Sequence, residues 1–285
     1  KQIFLSGGSA SLRRDSEGAF SLSFSEMATP VGQAATVPQL IEAGDRIFQL
    51  PQLSALVSVE LDGLILRYED AQQGRAWTLD GGHIQLDRKG DDLSLGAGFA
   101  LLSGRAYASS VEINYASRIG ETEAEFGVVI EDLAAADIAA QSVALAWLDV
   151  LQAPISGALR GRVNDAGTLG RLSATLNIGA GVVQPSAQAR PIPFDGARSY
   201  FSYDPAERVL SFDELSVDSA WGSGLAEGQA WLGTVNNGQL TDLTGQFTLS
   251  NLVVNPPGLY TEPAPLGQAL ADFRLELAPF RLRLG

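Results

Sequence analysis

The chain has 285 residues, of which 45% are apolar and 18% charged, so it can bury a sizeable core and is too apolar to be disordered. Its net charge of -14, from 33 acidic and 19 basic residues, disfavours nucleic acid and anionic headgroups, because both need a basic surface. There is no cysteine, which excludes disulfides, thiolate catalysis and cysteine-ligated metals.

Alternation of apolar and polar residues predicts β-strands along most of the chain. Each strand has one apolar and one polar face, which is typical of an antiparallel sheet with one side in water. In chain order, the apolar positions are Phe20, Leu22 and Phe24; Ala55, Val57, Val59 and Leu61; Val111, Ile113 and Tyr115; Ala124, Phe126, Val128 and Ile130; and Leu172, Ala174, Leu176 and Ile178.

Polar turn segments separate these strands and predict a meander of hairpins. They lie at 15–18, 72–74, 89–92, 164–167, 204–207 and 236–238.

One stretch, rich in Ala and Leu, predicts a long helix over 131–153, with its centre from Leu133 to Leu151. Val143, Trp147, Val150 and Leu151 recur at helical spacing and form one apolar stripe, which we expect to cover part of an apolar sheet face. Asp132 or Asp137 could cap the start of this helix, and Pro154 ends it. Shorter helices are predicted at 37–43 and 265–273. The predicted organisation is a β-unit over 1–130, the helix, and a second β-unit over 154–285.

Two stretches of the chain resemble each other at an offset of 133 positions, which relates Asp62 to Asp195 and Arg75 to Arg208. Each has Asp-Gly, an apolar and aromatic run, a polar turn and then alternating apolar residues. A shared pattern is typical of any two hairpins, but a register without gaps over more than twenty positions favours an internal repeat. A repeat predicts an elongated assembly in which each unit mainly contacts its neighbours.

No residue pattern indicates an enzyme, a cofactor or a metal site. The single histidine, His83, is predicted to be a surface residue on a strand. Glu121, Glu123 and Glu125 alternate, which places them on the wet face of one strand. These three residues lack the sequence of ligands that a calcium-binding loop requires. Nucleophile elbows and phosphate-binding loops are also missing from the sequence.

The apolar faces must be covered by another sheet, a helix or a ligand. Two sandwiched sheets would need no ligand, whereas one long curled sheet would leave an apolar trough. Both arrangements fit the strand pattern.

The passage from Asp132 to Leu232 resembles the AsmA-like family, in its TamB and YhdP type. It has an Ala/Leu-rich segment, a P-x-S-G strand start from Pro154 to Gly157, and a turn from Asp165 to Gly167. A strand of the type "LSATLNIGAG" follows, and then a hairpin with a Tyr-Asp turn near Tyr203.

This resemblance implies a periplasmic bridge-like lipid-transfer protein whose mainly β, curled and elongated groove carries phospholipid acyl chains between the inner and outer membranes. We expect the chain to be a segment of a longer protein, anchored in the inner membrane by a part that lies outside it. Phospholipids, and proteins of either membrane, are the expected partners. The expected lipid-binding residues are Val57, Val59, Leu61, Val111, Ile113, Tyr115, Phe126, Val128, Ile130, Leu172, Ala174, Leu176, Phe212 and Val217.

A structural or adhesin-type β-sandwich without lipid cargo is the alternative. A carbohydrate-active enzyme is a third possibility. It would need an aromatic platform beside paired carboxylates, but the four tryptophans are scattered along the chain.

Overall fold

The computed structural model describes residues 1–17, 19–24, 32–34, 55–71, 74–102, 109–141, 143–184, 186, 188, 191–220, 222–236, 239–240, 242–254, 275–276 and 280–283. The chain divides into two compact units. The first unit consists of Lys1–Glu131 and Arg160–Gly170, and the second of Asp132–Leu159 and Arg171–Gly285. The two short helices predicted at 37–43 and 265–273 lie outside the described residues.

The fold is mainly β, as predicted, and most strands join a large open sheet of mixed direction. The strands are β1 (Gln2–Ser6), β2 (Ser9–Arg14), β3 (Phe20–Phe24), β4 (Gly32–Ala34), β5 (Ser58–Asp70), β6 (Arg75–Lys89), β7 (Asp92–Leu102), β8 (Ser109–Arg118), β9 (Ala124–Ala134), β10 (Leu151–Gln152), β11 (Pro154–Val163), β12 (Leu172–Ile178), β13 (Gly181–Val183), β14 (Ile192–Phe194), β15 (Gly196–Asp204), β16 (Val209–Ser219), β17 (Gly222–Leu232), β18 (Val235–Asn236), β19 (Gln239–Leu240), β20 (Asp242–Val254), β21 (Leu275–Glu276) and β22 (Phe280–Arg283).

In the first unit, β5 to β9 form an antiparallel meander in which each strand pairs with the next. β1 and β2 both pair with β5 in the parallel direction, and β3 and β4 continue beyond β2. The sheet is therefore mixed, where the sequence predicted an antiparallel one. Alternation shows which side chains share a face, but both directions of pairing give the same alternation.

In the second unit, β12, β15, β16, β17 and β20 are antiparallel neighbours in that order. β21 and β22 both pair with β20. β13 and β14, which follow β12 in the chain, do not join this sheet. They form a small separate sheet with β10.

Three of the predicted turns are held by the side chain that begins them. Asp15, Asn164 and Asp204 each accept hydrogen bonds of 2.9–3.0 Å from backbone N–H groups two or four residues later. Such bonds give the chain an alternative to strand pairing, which is why Asp and Asn end strands.

The predicted long helix is wrong. Within the described residues of this segment, those up to Ala134 belong to β9, and α1 (Ala135–Ala139) is the α-helical part. A 3₁₀ helix (Val143–Val150) follows, and β10 starts at Leu151. Helix propensities differ by only tenths of a kcal/mol per residue, so burial of Leu133 and Ala134 in the strand outweighs them.

The predicted cap residues also differ from the observed ones. Asp132 lies in β9 with φ of 51°, and α1 begins after Ala134 without a side-chain cap. A 3₁₀ helix has three residues per turn, so its buried side is narrower than the predicted α-helical stripe. Leu148 is the fully buried residue on that side.

The two stretches that resemble each other are both antiparallel hairpins, β5–β6 and β15–β16. Both hairpins also contain a register irregularity. That the two hairpins are units of an internal repeat remains a prediction.

Candidate functional site

The first unit presents one continuous apolar face across β5 to β9. Residues directly opposite each other in neighbouring antiparallel strands point to the same side of the sheet. The register aligns three rows on this face: Val59, Leu86, Leu95, Tyr115 and Phe126; Leu61, Ile84, Ala97, Ile113 and Val128; and Phe99, Val111 and Ile130.

The side chains in the middle of this face are half-buried. Ile113 and Val128, which are partners on β8 and β9, are examples. Full burial occurs in small clusters, such as Leu64 with Phe99 and Ala10. The face is therefore apolar but partly accessible within the described residues.

The opposite face of the same strands is polar. Its two central rows are Glu60, Gln85, Gly96, Asn114 and Gly127, and Asp62, His83, Gly98, Glu112 and Val129. Most of their charged or amide side chains are exposed, including His83, Glu112 and Asn114. Val129, at 37% exposure, is an apolar exception on this face.

Eight of the predicted lipid-binding residues lie together on this apolar face: Val59, Leu61, Val111, Ile113, Tyr115, Phe126, Val128 and Ile130. Val57 precedes β5 and is 49% exposed. The prediction omitted the two strands in the middle, β6 and β7. Their contributions, such as Ile84 and Leu95, follow the same alternation and could have been found by it.

The predicted lining residues of the second unit are in a different environment. Ala174, Leu176 and Phe212 are buried, Leu172 is half-buried and Val217 is 37% exposed. This part of the second unit is already packed against protein.

Trp147, on the 3₁₀ helix, contributes to this packing at Phe212. Its ring lies edge-on against Phe201 on β15 and Phe212 on β16, with centroid distances of 5.8 and 5.5 Å. Phe247 on β20 extends the cluster, 5.6 Å from Phe212. The segment thus covers part of an apolar sheet face, as the sequence predicted, although it is not the long helix expected.

One end of the first unit's apolar face carries a buried charge. Asp70 is 1% exposed and forms an ion pair with Arg14 at 3.5 Å. The Tyr68 hydroxyl lies 3.4 Å from the Asp70 carboxylate, and the Tyr68 ring stacks on Trp77 at 5.4 Å. Burial, together with the negative charge of Asp70, raises the pKa of Tyr68 to about 12.

We expect the Tyr68 phenol to ionise near pH 12 rather than pH 10. Absorbance titration of tyrosinate in the unaltered chain, minus that of Tyr68→Phe, should give one transition near pH 12. The raised pKa stabilises the folded state below pH 10, and that stabilisation is lost as the pH rises through the folded value. Circular dichroism at each pH must show that both proteins stay folded. A difference transition at pH 10 would contradict the burial of this hydroxyl.

A cleft of about 800 Å³ lies at one end of strands β5 to β9 in the first unit. The register row from Ser58 to Glu125 crosses it, and that row belongs to the polar face. Charges of both signs line the cleft, with Arg118 paired to Glu121 at 3.7 Å and Arg162 paired to Glu125. The neighbouring row of Arg88, Leu93, Ser117 and Ala124, on the apolar side of the strands, also lines the cleft, which carries no excess positive charge.

His83 is exposed, as predicted for a surface residue, but it has close partners. Its Nδ1 lies 2.5 Å from Asp62 Oδ1, and Glu60 lies beside this pair. The bond to Asp62 raises the pKa of His83. The sequence analysis did not find this constellation, because its members lie 21 positions apart and on two strands.

No family model, curated protein or solved structure matches this chain. Among the described residues, no helix has the length and apolar character needed to cross a membrane.

Proposed function

We propose that this chain is a segment of a periplasmic bridge-like lipid-transfer protein of the AsmA-like type. The observation that carries the proposal is the apolar face of the first unit, in which two aligned rows of half-buried side chains extend across β5 to β9. Phospholipid acyl chains would lie along these rows, while the headgroups stay in water.

The chemistry of such a face suits acyl chains. Their binding is non-directional burial, worth about 0.8 kcal/mol for each CH₂ removed from water, so the lining needs no hydrogen-bond donor. Five strands about 4.8 Å apart make each complete row about 19 Å long. The net charge of -14 fits lipid contact through apolar surface better than contact through headgroup charge.

The proposal extends beyond this unit. Further β-units would continue the face into an elongated, curled groove between the two membranes. Parts of the protein outside this chain would supply the inner-membrane anchor and the contacts with membrane proteins.

The second unit supports a different candidate, a structural or adhesin-type β-protein without lipid. Trp147 and its aromatic neighbours already cover an apolar face there, with Ala174, Leu176 and Phe212 buried. A protein of this kind would cover the first unit's apolar face with protein as well, so it would need no ligand.

Site-specific photo-crosslinking in cells tests the proposal. A photoreactive residue at Ile113 or Val128 should capture phospholipid, because both side chains lie on the apolar face. The same residue at Glu112 or Glu125, on the polar face of the same two strands, should not.

Labelling that is equal on the two faces, or missing from both, would contradict lipid carriage by this surface. Mass spectrometry of organic extracts of the purified chain supplies an independent measurement. The lipid-free candidate predicts no phospholipid in those extracts.

A further inference from the structure

Three potential metal ligands meet on the polar face of the first unit. Glu60 and Asp62 alternate on β5, and His83 on β6 lies directly opposite Asp62. One ligand atom of each residue lies within 4.8 Å of the others. Ligand distances of about 2.0–2.2 Å allow two donors of one ion to be at most about 4.4 Å apart, so small side-chain rotations would bring all three into range.

We propose that Glu60, Asp62 and His83 bind a divalent transition-metal ion, for which Zn²⁺ is the appropriate probe. The donor set decides the class of ion. An imidazole nitrogen favours Zn²⁺ and its neighbours in the transition series, whereas Ca²⁺ and Mg²⁺ prefer oxygen ligands alone. Three protein ligands leave at least one position to water. This inference does not depend on the proposed lipid function.

The neighbouring residues leave room for an ion and its water. Gly96 and Gly98 on β7 lie opposite Gln85 and His83, and a Cβ at either glycine would meet no atom within 4 Å. The amide nitrogen of Gln85 is already bonded to Asp87 at 2.9 Å. The ion would replace the hydrogen bond between Asp62 Oδ1 and His83 Nδ1, which lie 2.5 Å apart.

The location also suggests what the ion would do. The β5–β6 register shifts directly after Asp62, and the β6–β7 register shifts directly before His83. β-Bulges of this kind locally disrupt the backbone hydrogen bonds between strands and change the direction of side chains. An ion bound by residues of both strands would stabilise the sheet where its backbone pairing is irregular.

Titration calorimetry with Zn²⁺ tests the site. The chain should be purified with a tag that contains no histidine and treated with a chelator before the titration. We expect one equivalent of Zn²⁺ to bind, and its affinity to fall at least tenfold in His83→Gln, Asp62→Asn and Glu60→Gln. His83→Gln keeps a hydrogen-bonding side chain opposite Asp62. Excess Ca²⁺ should not displace the ion.

Glu112→Gln is the matched control. Glu112 lies on the same polar face and in the same register row as His83, but two strands away, at about 10 Å. Loss of the Glu112 carboxylate should leave the affinity for Zn²⁺ unchanged. A chain that binds no stoichiometric Zn²⁺ would overturn the proposal, as would equal affinities in His83→Gln and Glu112→Gln. Circular dichroism of each variant confirms that the comparison is between folded proteins.

Discussion

Replacing Trp147 with alanine should lower the free energy of unfolding by about 3 kcal/mol, the lower end of the usual cost of removing a large aromatic side chain, because Trp147 is half-buried. The ring packs edge-on against Phe201 and Phe212, both of which are buried. Its removal would leave a cavity that the sheet residues cannot fill, because they are fixed by β15–β16 pairing. Denaturant unfolding followed by circular dichroism measures the change.

Trp231→Ala is the control for this prediction. Trp231 lies on β17 of the same unit and is 38% exposed, so its loss should cost far less. Trp147→Phe should also be milder than Trp147→Ala. It keeps an aromatic ring and removes an indole N–H that has no hydrogen-bond partner, which costs about 1–3 kcal/mol when buried. Equal stability of Trp147→Ala and the unaltered chain would show that the 3₁₀ helix is peripheral.

Trp147 also illustrates what sequence could and could not predict in this chain. Its apolar spacing correctly indicated a segment that packs on a sheet face. The predicted type of helix was wrong. Local helix propensity is a weak preference, and the preceding residues gain more stability by extending β9. A stripe of three or four residues does not distinguish a period of 3.6 from a period of 3.0.

The strand faces were more predictable than the strand partners. Alternation placed Ile113 and Val128 on apolar faces, and the register then made them direct neighbours. The sequences of β1 and β2 do not indicate that both strands pair with β5 in the parallel direction, since the direction of pairing depends on distant parts of the chain. Turns were predicted correctly where a polar side chain accepts a hydrogen bond from a nearby backbone N–H group, as that of Asp204 does.

The cluster around His83 was beyond the reach of sequence for a related reason. Its carboxylates are two positions apart on one strand, and its imidazole comes from the next strand. Only the register, which shifts beside Asp62, decides that His83 faces this carboxylate rather than another. A change of one residue in pairing would turn His83 to the apolar face.

A single charge on the apolar face should abolish lipid carriage while leaving the fold in place. Ile113→Asp and Val128→Asp each put a carboxylate in the middle row of the first unit's face, where acyl chains are proposed to lie. Both positions are half-buried, so the new carboxylate can reach water and the strands can still pair. An acyl chain beside it would have to remain next to a hydrated charge, which removes the gain from burial.

Asn114→Asp provides the matched control for these two variants. Asn114 follows Ile113 on β8 and is exposed on the polar face, so the same charge is added one residue away on the other side of the sheet. We expect phospholipid recovered per mole of purified protein to fall at least tenfold in Ile113→Asp and Val128→Asp and to stay unchanged in Asn114→Asp. Circular dichroism should be the same for all four proteins. Equal lipid recovery from Ile113→Asp and Asn114→Asp would place the lipid elsewhere, because only one of these two charges lies on the apolar face.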